Sequence, residues 1–269
     1  ANMDYNLAFA HINYGQRTEN SELKAFTQIA DHYRVKEKII NEIARLNKQL
    51  ENAGSAEVLD YFCKQYKDQI SFSSSMGAED QVITDMISNN KKAVRIFTLD
   101  TGRLFPETYT IIDKTRQHYN IEIEVFFPDR KNIEKMVKDK GINLFYESIE
   151  NRKLCCHFRK SEPLIRALSG MEVWITGIRK DQTLNRFNTN VIEWDETYQL
   201  IKINPLYNWS EKMVWDYIHK YQVPYNELHD KGFPSIGCQP CTRAINPGED
   251  TRAGRWWWED QGHKECGLH

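Results

Sequence analysis

From Ser55 to about Ile203, short apolar runs alternate with stretches whose apolar residues recur every three or four positions. That alternation leaves few ways to fold. Each strand has to be carried to the next by a helix, which yields a mainly parallel sheet with helices on both faces, an α/β architecture. The patterns place strands at 69–72, 94–99, 122–127, 172–176 and 200–203, and helices at 56–66, 79–89, 106–118, 132–139, 161–168 and 211–221. Sheets of this kind bind ligands outside the carboxyl ends of their strands, so the loops that follow the strands carry the functional expectation.

Upstream, residues 21–50 have a helical period through Leu23, Phe26, Ile29, Val35, Ile39, Ile43, Leu46 and Leu50, with Ser21 and Glu22 as a start and 52–54 as a stop. The segment bears no chemical signature and reads as a packing or homo-oligomerisation element, which sets an N-terminal extension at 1–54 apart from the domain that follows. With 40% apolar residues among 269, the chain can bury one substantial core. Its 36 basic and 38 acidic residues nearly cancel, so no global field draws it to nucleic acid or a membrane, and an anion site has to be local. No apolar run approaches the roughly 18 residues of a membrane span, and the polar start is unlike a signal peptide. The expectation is a soluble, cytoplasmic protein.

Three loops stand out at the expected strand ends. Ser73, Ser74 and Ser75 lead through Met76 and Gly77 into a helix whose first amides suit an anion. Leu99 opens the run Leu99-Asp100-Thr101-Gly102-Arg103, where Gly102 permits a tight turn and Arg103 offers a planar fork. Gly177 is followed by Ile178, Arg179, Lys180, Asp181 and Gln182. Each alone could be a solvated turn, whereas three at one sheet edge suggest a binding cleft.

The six cysteines are grouped rather than scattered: Cys63 alone, the neighbours Cys155 and Cys156, the pair Cys238 and Cys241 around Pro240, and Cys266 near the last residue. A domain with its own core needs no disulfide framework. Four thiols in two pairs suit zinc, an iron–sulfur cluster or merely buried packing. Adjacent ligands favour a cluster, because two consecutive side chains diverge too far to meet comfortably on one ion. Arg159 and Lys160 follow the first pair and offer charge compensation or an anion contact. Cys266, with His263, Lys264 and His269 around it, suits a mobile thiolate nucleophile. The run Trp256-Trp257-Trp258 suits core packing, and Cys63 is assigned to packing.

Taken together, Ser73 to Asp80, LDTGR followed by PETY, CCHFRKSEPL, GIRKDQT, CQPCTRAINPGEDTRAGRWWWE and KECGLH resemble the assimilatory adenylylsulfate reductases, the iron–sulfur branch of the phosphoadenylylsulfate reductase family. The resemblance runs from about Ser71 to His269. It implies an adenine-nucleotide α-hydrolase-like fold and a [4Fe–4S] cluster on Cys155, Cys156, Cys238 and Cys241. It implies that Cys266 attacks the sulfur of adenylylsulfate and that thioredoxin or a similar thiol donor releases sulfite. It further implies that Lys160, Arg252 and Arg255 hold the phosphosulfate, that Ser73 to Ser75, Leu99 and Gly177 hold the nucleoside, and that Arg159, Arg179 and Gln182 complete the pocket. The chain would then divide into the extension at 1–54, a cluster-bearing nucleotide domain at 55–255 and a catalytic tail at 256–269. Thr183 stands where such proteins usually carry serine, and the serine loop lacks the paired glycines of ATP-cleaving relatives. The same chemistry on the 3′-phosphorylated substrate, or a zinc-stabilised nucleotide- or tRNA-binding protein, are the competing readings.

Overall fold

The computed structural model describes residues 39–182 and 190–259. The chain divides into two units between Glu51 and Asn52. In the first, residues 39–49 form helix α1, with Ile43 and Leu46 buried and Arg45 bonded to Glu42 and Gln49 on the exposed face. The rest of the helix expected at 21–50 lies outside the described residues, apart from Leu50, whose N–H still donates to the Leu46 carbonyl.

The second unit begins with α2 (Ser55–Tyr66), whose Val58, Leu59 and Phe62 recur at helical spacing and are buried. Its first turn is closed by the Glu57 carboxylate, which accepts from the Gly54 N–H at 2.7 Å. Then come β1 (Ile70–Ser73), α3 (Ala78–Asn89), β2 (Arg95–Leu99), α4 (Pro106–Tyr119), β3 (Glu124–Phe126), α5 (Arg130–Lys140), α6 (Ile149–Cys156), α7 (Glu162–Leu168), β4 (Val173–Ile175), β5 (Ile192–Asp195), β6 (Leu200–Ile203) and α8 (Glu211–Tyr221). Pro106 opens α4 where its missing N–H costs nothing, and Asn120 in the left-handed region ends it. Ser210 caps α8 by accepting from the Met213 N–H at 3.2 Å.

The strands form one six-stranded sheet in the order β3-β2-β1-β4-β6-β5, parallel except for β5 against β6. Phe72 of β1 pairs with Ile96 on one side and Ile175 on the other, so the most apolar strands lie at the centre. The chain moves outward from β1 through β2 to β3 and returns to place β4 on the other flank. That makes the β1/β4 boundary the switch point, where a crevice opens at the carboxyl ends. The loops after β1, β2 and β4 therefore share one edge.

Two elements were not expected from the sequence. Strand β5 is four residues long and joins β6 through a turn in which Gln199 has φ 54°, so this hairpin interrupts the strand–helix alternation on which the reading rests. Helix α6 precedes the helix expected at 161–168, and a π-helical turn (His157–Ser161) joins it to α7.

Candidate active site

A cavity of about 500 Å³ opens at the switch point. Its walls come from the three strand-end loops, from α8 and from the chain after Gly237. Ser73, Ser74, Ser75, Leu99, Lys160, Gly177, Arg179, Gln182, Arg252 and Arg255 all line it. Arg159 does not.

The serine loop is held by contacts with both neighbouring strands and with its own helix. The Ser74 N–H donates to the Phe97 carbonyl at 2.8 Å, and Trp174 Nε1 donates to Ser73 Oγ at 2.7 Å. Met76 sits buried at φ 62°, a left-handed conformation that a bulky side chain adopts only where its surroundings enforce it. Asp80 Oδ2 accepts from both the N–H and the hydroxyl of Ser75 at 2.6 Å. Burial pushes the Asp80 carboxyl up to about 7, with the Ser75 hydrogen bonds opposing the rise. A Cβ on Gly177 would overlap that carboxylate, so the β4 loop approaches α3 this closely only as glycine. Beside it, Glu79 Oε1 accepts from Arg179 Nε at 2.8 Å and from Gln182 Nε2 at 3.0 Å, which fastens the two loops together. His229 lines the same wall, its ring edge-to-face with Trp215 at 5.3 Å, and burial lowers its pKa.

A smaller cavity, about 20 Å³, adjoins the first. Cys155, Cys156, Cys238 and Cys241 line it together with Arg103, Phe145, Arg152, Arg159, Lys160 and Pro240. All four cysteines are buried, and among the described residues no three His, Cys, Asp or Glu side chains gather around a position for one metal ion. Cys155 and Cys156 end α6, and the π turn that follows carries Arg159 and Lys160 into place; such turns recur at functional sites. Arg159 donates to the Thr101 carbonyl at 2.6 Å, and Thr101 Oγ1 lies 3.2 Å from Cys238 Sγ. Burial raises the Cys155 thiol against the pull of Arg159. It raises Cys241 to about 12, with Cys238 adding to the rise and Lys160 opposing it. An apolar shell of Met136, Leu144, Phe145 and Trp256 packs around three of the four cysteines.

The loop bearing Cys238 is tied to the strand ends through Gln239, whose N–H donates to the Arg103 carbonyl at 2.8 Å, while Tyr146 donates its hydroxyl to the Pro240 carbonyl at 2.8 Å. Arg103, read from the sequence as a fork for an anion, lines the cysteine cavity, donates to the Ile142 carbonyl at 2.6 Å and lies over the Phe145 ring. Downstream, Thr242 and Arg255 form a β-bridge, and Arg255 Nη1 donates to Ser235 Oγ and the Ile236 carbonyl at 3.2 Å. Of the tryptophan run, Trp256 is buried, Trp257 is half exposed and Trp258 packs on Tyr146 at 4.5 Å. Cys266 and Thr183 lie outside the described residues.

Sequence reading gave no role to Glu79, Asp80, Arg152 or Glu259. Two acidic residues in a first helical turn look like ordinary dipole partners, and nothing local marks Arg152 and Glu259 as neighbours. Among the described residues no helix is long and apolar enough to cross a membrane.

A family model described as the phosphoadenosine phosphosulfate reductase domain matches residues 69–244. A curated adenosine 5′-phosphosulfate reductase of Burkholderia cepacia is 48% identical over 81% of this chain and 89% of its own. One of Allochromatium vinosum is 49% identical over 81% and 84%. Among solved structures, a phosphoadenylyl-sulfate reductase from Candida auris in a phosphate complex aligns with a TM-score of 0.65 at 33% identity, covering 76% of this chain and 96% of that one. An FMN adenylyltransferase of Candida glabrata, at a TM-score of 0.51 and 17% identity, has the same type of fold. With its parallel sheet, its serine-loop cleft and its paired cysteines, the chain belongs to the phosphoadenosine phosphosulfate reductase family, on the side of the adenosine 5′-phosphosulfate reductases.

Proposed function

We propose that this chain reduces adenylylsulfate to sulfite, releasing AMP, with electrons from thioredoxin or a similar dithiol protein. The observation that carries the reading is that Lys160 and Cys238 line both cavities, so the cysteine site and the cleft share a wall. A nucleotide seated against the strand-end loops would then direct its anhydride toward that wall. Lys160, Arg252 and Arg255 are the cations facing the cleft there and suit the phosphosulfate, while Ser73 to Ser75, Leu99 and Gly177 suit the nucleoside. Arg179 and Gln182 act through Glu79, which holds their loop against α3.

The four cysteines fit a [4Fe–4S] cluster by their chemistry. Burial raises the thiols of Cys155 and Cys241, a bound cationic centre would displace their protons, and the neighbouring Arg103, Arg159 and Lys160 would offset the charge of the resulting thiolate assembly. When bound, the cluster supplies fixed charge and rigidity next to the phosphosulfate, without exchanging electrons with it.

In the reaction, the Cys266 thiolate attacks the sulfur of adenylylsulfate. A bond forms between Sγ and that sulfur, the sulfur–oxygen bond to the phosphate breaks, and AMP leaves with the electron pair, assisted by Lys160 and the two arginines. A thiolate of the donor protein then attacks Sγ, sulfite departs with the electrons of the sulfur–sulfur bond, and the donor's second thiol resolves the mixed disulfide and restores Cys266. Mass spectrometry after mixing with adenylylsulfate should find a sulfite adduct on Cys266. Cys266→Ser should form no adduct and no sulfite while retaining its iron; turnover by that variant would remove Cys266 from the mechanism.

A further inference from the structure

Arg152 and Glu259 form an ion pair with side chains 0% and 4% exposed, more deeply buried than Arg179–Glu79 or Lys202–Glu193. The pair is bidentate: Arg152 Nε donates to Glu259 Oε1 at 2.9 Å and Nη2 to Oε2 at 2.8 Å. Its ends belong to the two parts of the site that have to act together. Arg152 lies one helical turn before Cys155 on α6 and lines the cysteine cavity. Glu259 is seven residues before Cys266.

Trp256 packs against the Arg152 end of the pair. The Arg152 guanidinium lies 4.5 Å from its ring centroid and the Arg255 guanidinium 4.9 Å, and the Trp256 backbone N–H donates to the Cys241 carbonyl at 3.1 Å. The turn at 255–259 is therefore gripped from the first cysteine pair through Arg152 and from the second through Cys241. Arg255, in the same turn, faces the cleft. A buried ion pair adds little net stability over apolar side chains of equal volume; what it fixes is register. Here the register is that of the chain's exit toward Cys266. Seven residues reach at most about 25 Å, so where Glu259 is anchored bounds which part of the cleft wall the thiol can address.

We propose that the Arg152–Glu259 pair is a positioning element that aims the Cys266 segment from the cysteine-bearing helix, so that an ordered cysteine site is a condition for delivering the nucleophile. This rests on the reading of Cys266 as the nucleophile. It gives the four-cysteine site a mechanical task in addition to its charge.

Two variants test it: Glu259→Gln, which keeps the shape and removes the charge, and the double replacement Arg152→Met with Glu259→Leu, which restores apolar packing without the pair. In both, iron content should stay at the wild-type level and AMP affinity within about twofold, while S-sulfocysteine formation at saturating adenylylsulfate slows by about tenfold or more, the mark of lost orientation rather than lost binding. Trypsin should also cut after Lys264 faster than in the wild type. An unchanged rate of adduct formation, a rate restored by the repacked double variant, or unaltered cleavage after Lys264 would overturn the proposal. A wild-type enzyme that forms no adduct on Cys266 would instead overturn the nucleophile reading, and the cleavage comparison would still decide whether the pair anchors the segment.

Discussion

The two halves of the site are built by different means. The cleft at the strand ends is assembled from loops that parallel strands bring together automatically, and its hydrogen bonds either stay within one loop and helix start, as Ser75 to Asp80, or join neighbouring strand ends, as Ser74 to Phe97, Trp174 to Ser73 and Arg179 to Glu79. The cysteine cavity has no such frame. It joins residues near 103, 145–160 and 238–259 through contacts such as Gln239 to Arg103, Tyr146 to Pro240 and Arg152 to Glu259. One half rests on secondary structure and the other on tertiary contacts around a buried, cation-lined space. Perturbing one half away from the wall they share at Lys160 and Cys238 should therefore spare the other.

The largest expected effect on that contrast comes from Trp256→Ala. Removing a buried indole that packs with Cys155, Cys238 and Cys241 should cost about 3–5 kcal/mol in chemical denaturation and lower iron occupancy, while AMP binding persists in the fraction that remains folded. Loss of AMP binding in that folded fraction would mean the halves are not separable.

The next effect belongs to the cleft and is read as pH dependence. Asp80 holds its proton to about 7 in the folded protein, against the ordinary 3.8. The folded state thus binds more protons than the unfolded one across that interval, and stability present below the ordinary value is lost as pH rises through about 7. At roughly 1.4 kcal/mol per unit the loss is on the order of a few kcal/mol. Asp80→Asn should flatten the fall in melting temperature between these pH values; an equally steep fall would assign it to other groups.

Gly177→Ala should follow, since its methyl group meets the Asp80 carboxylate and forces α3 and the β4 loop apart at about 1–3 kcal/mol. AMP affinity should drop while the absorption spectrum of the cysteine site stays unchanged. The smallest effect is expected of Trp257→Ala. That ring is half exposed, and its loss should change stability by no more than about 0.5 kcal/mol and leave turnover intact, the opposite of its neighbour.

Period-two and period-3.6 patterns were enough to read the parallel sheet, most of its helices and the edge at which the cleft opens, because a strand or helix buries its apolar face in a way its own residues dictate. Ser73 to Ser75, Leu99, Gly177, Arg179 and Gln182 were legible for the same reason, since a loop after a parallel strand can only emerge at that edge, whereas Lys160, Arg252 and Arg255 were assigned to the substrate by the resemblance. The paired cysteines were legible as a chemical group. Where the tertiary structure alone decided was in the partners. Arg103 turned toward Ile142 and Arg159 toward Thr101, because a long cation settles on whichever carbonyl the fold brings near. Strand β5 and the π turn after Cys156 left no periodic trace over four or five residues. Arg152 and Glu259 are far apart in the chain, and each alone reads as a solvated surface charge. Local sequence sets the preference of a segment for its own conformation; which distant charge is taken out of water with another is settled only when both are buried together.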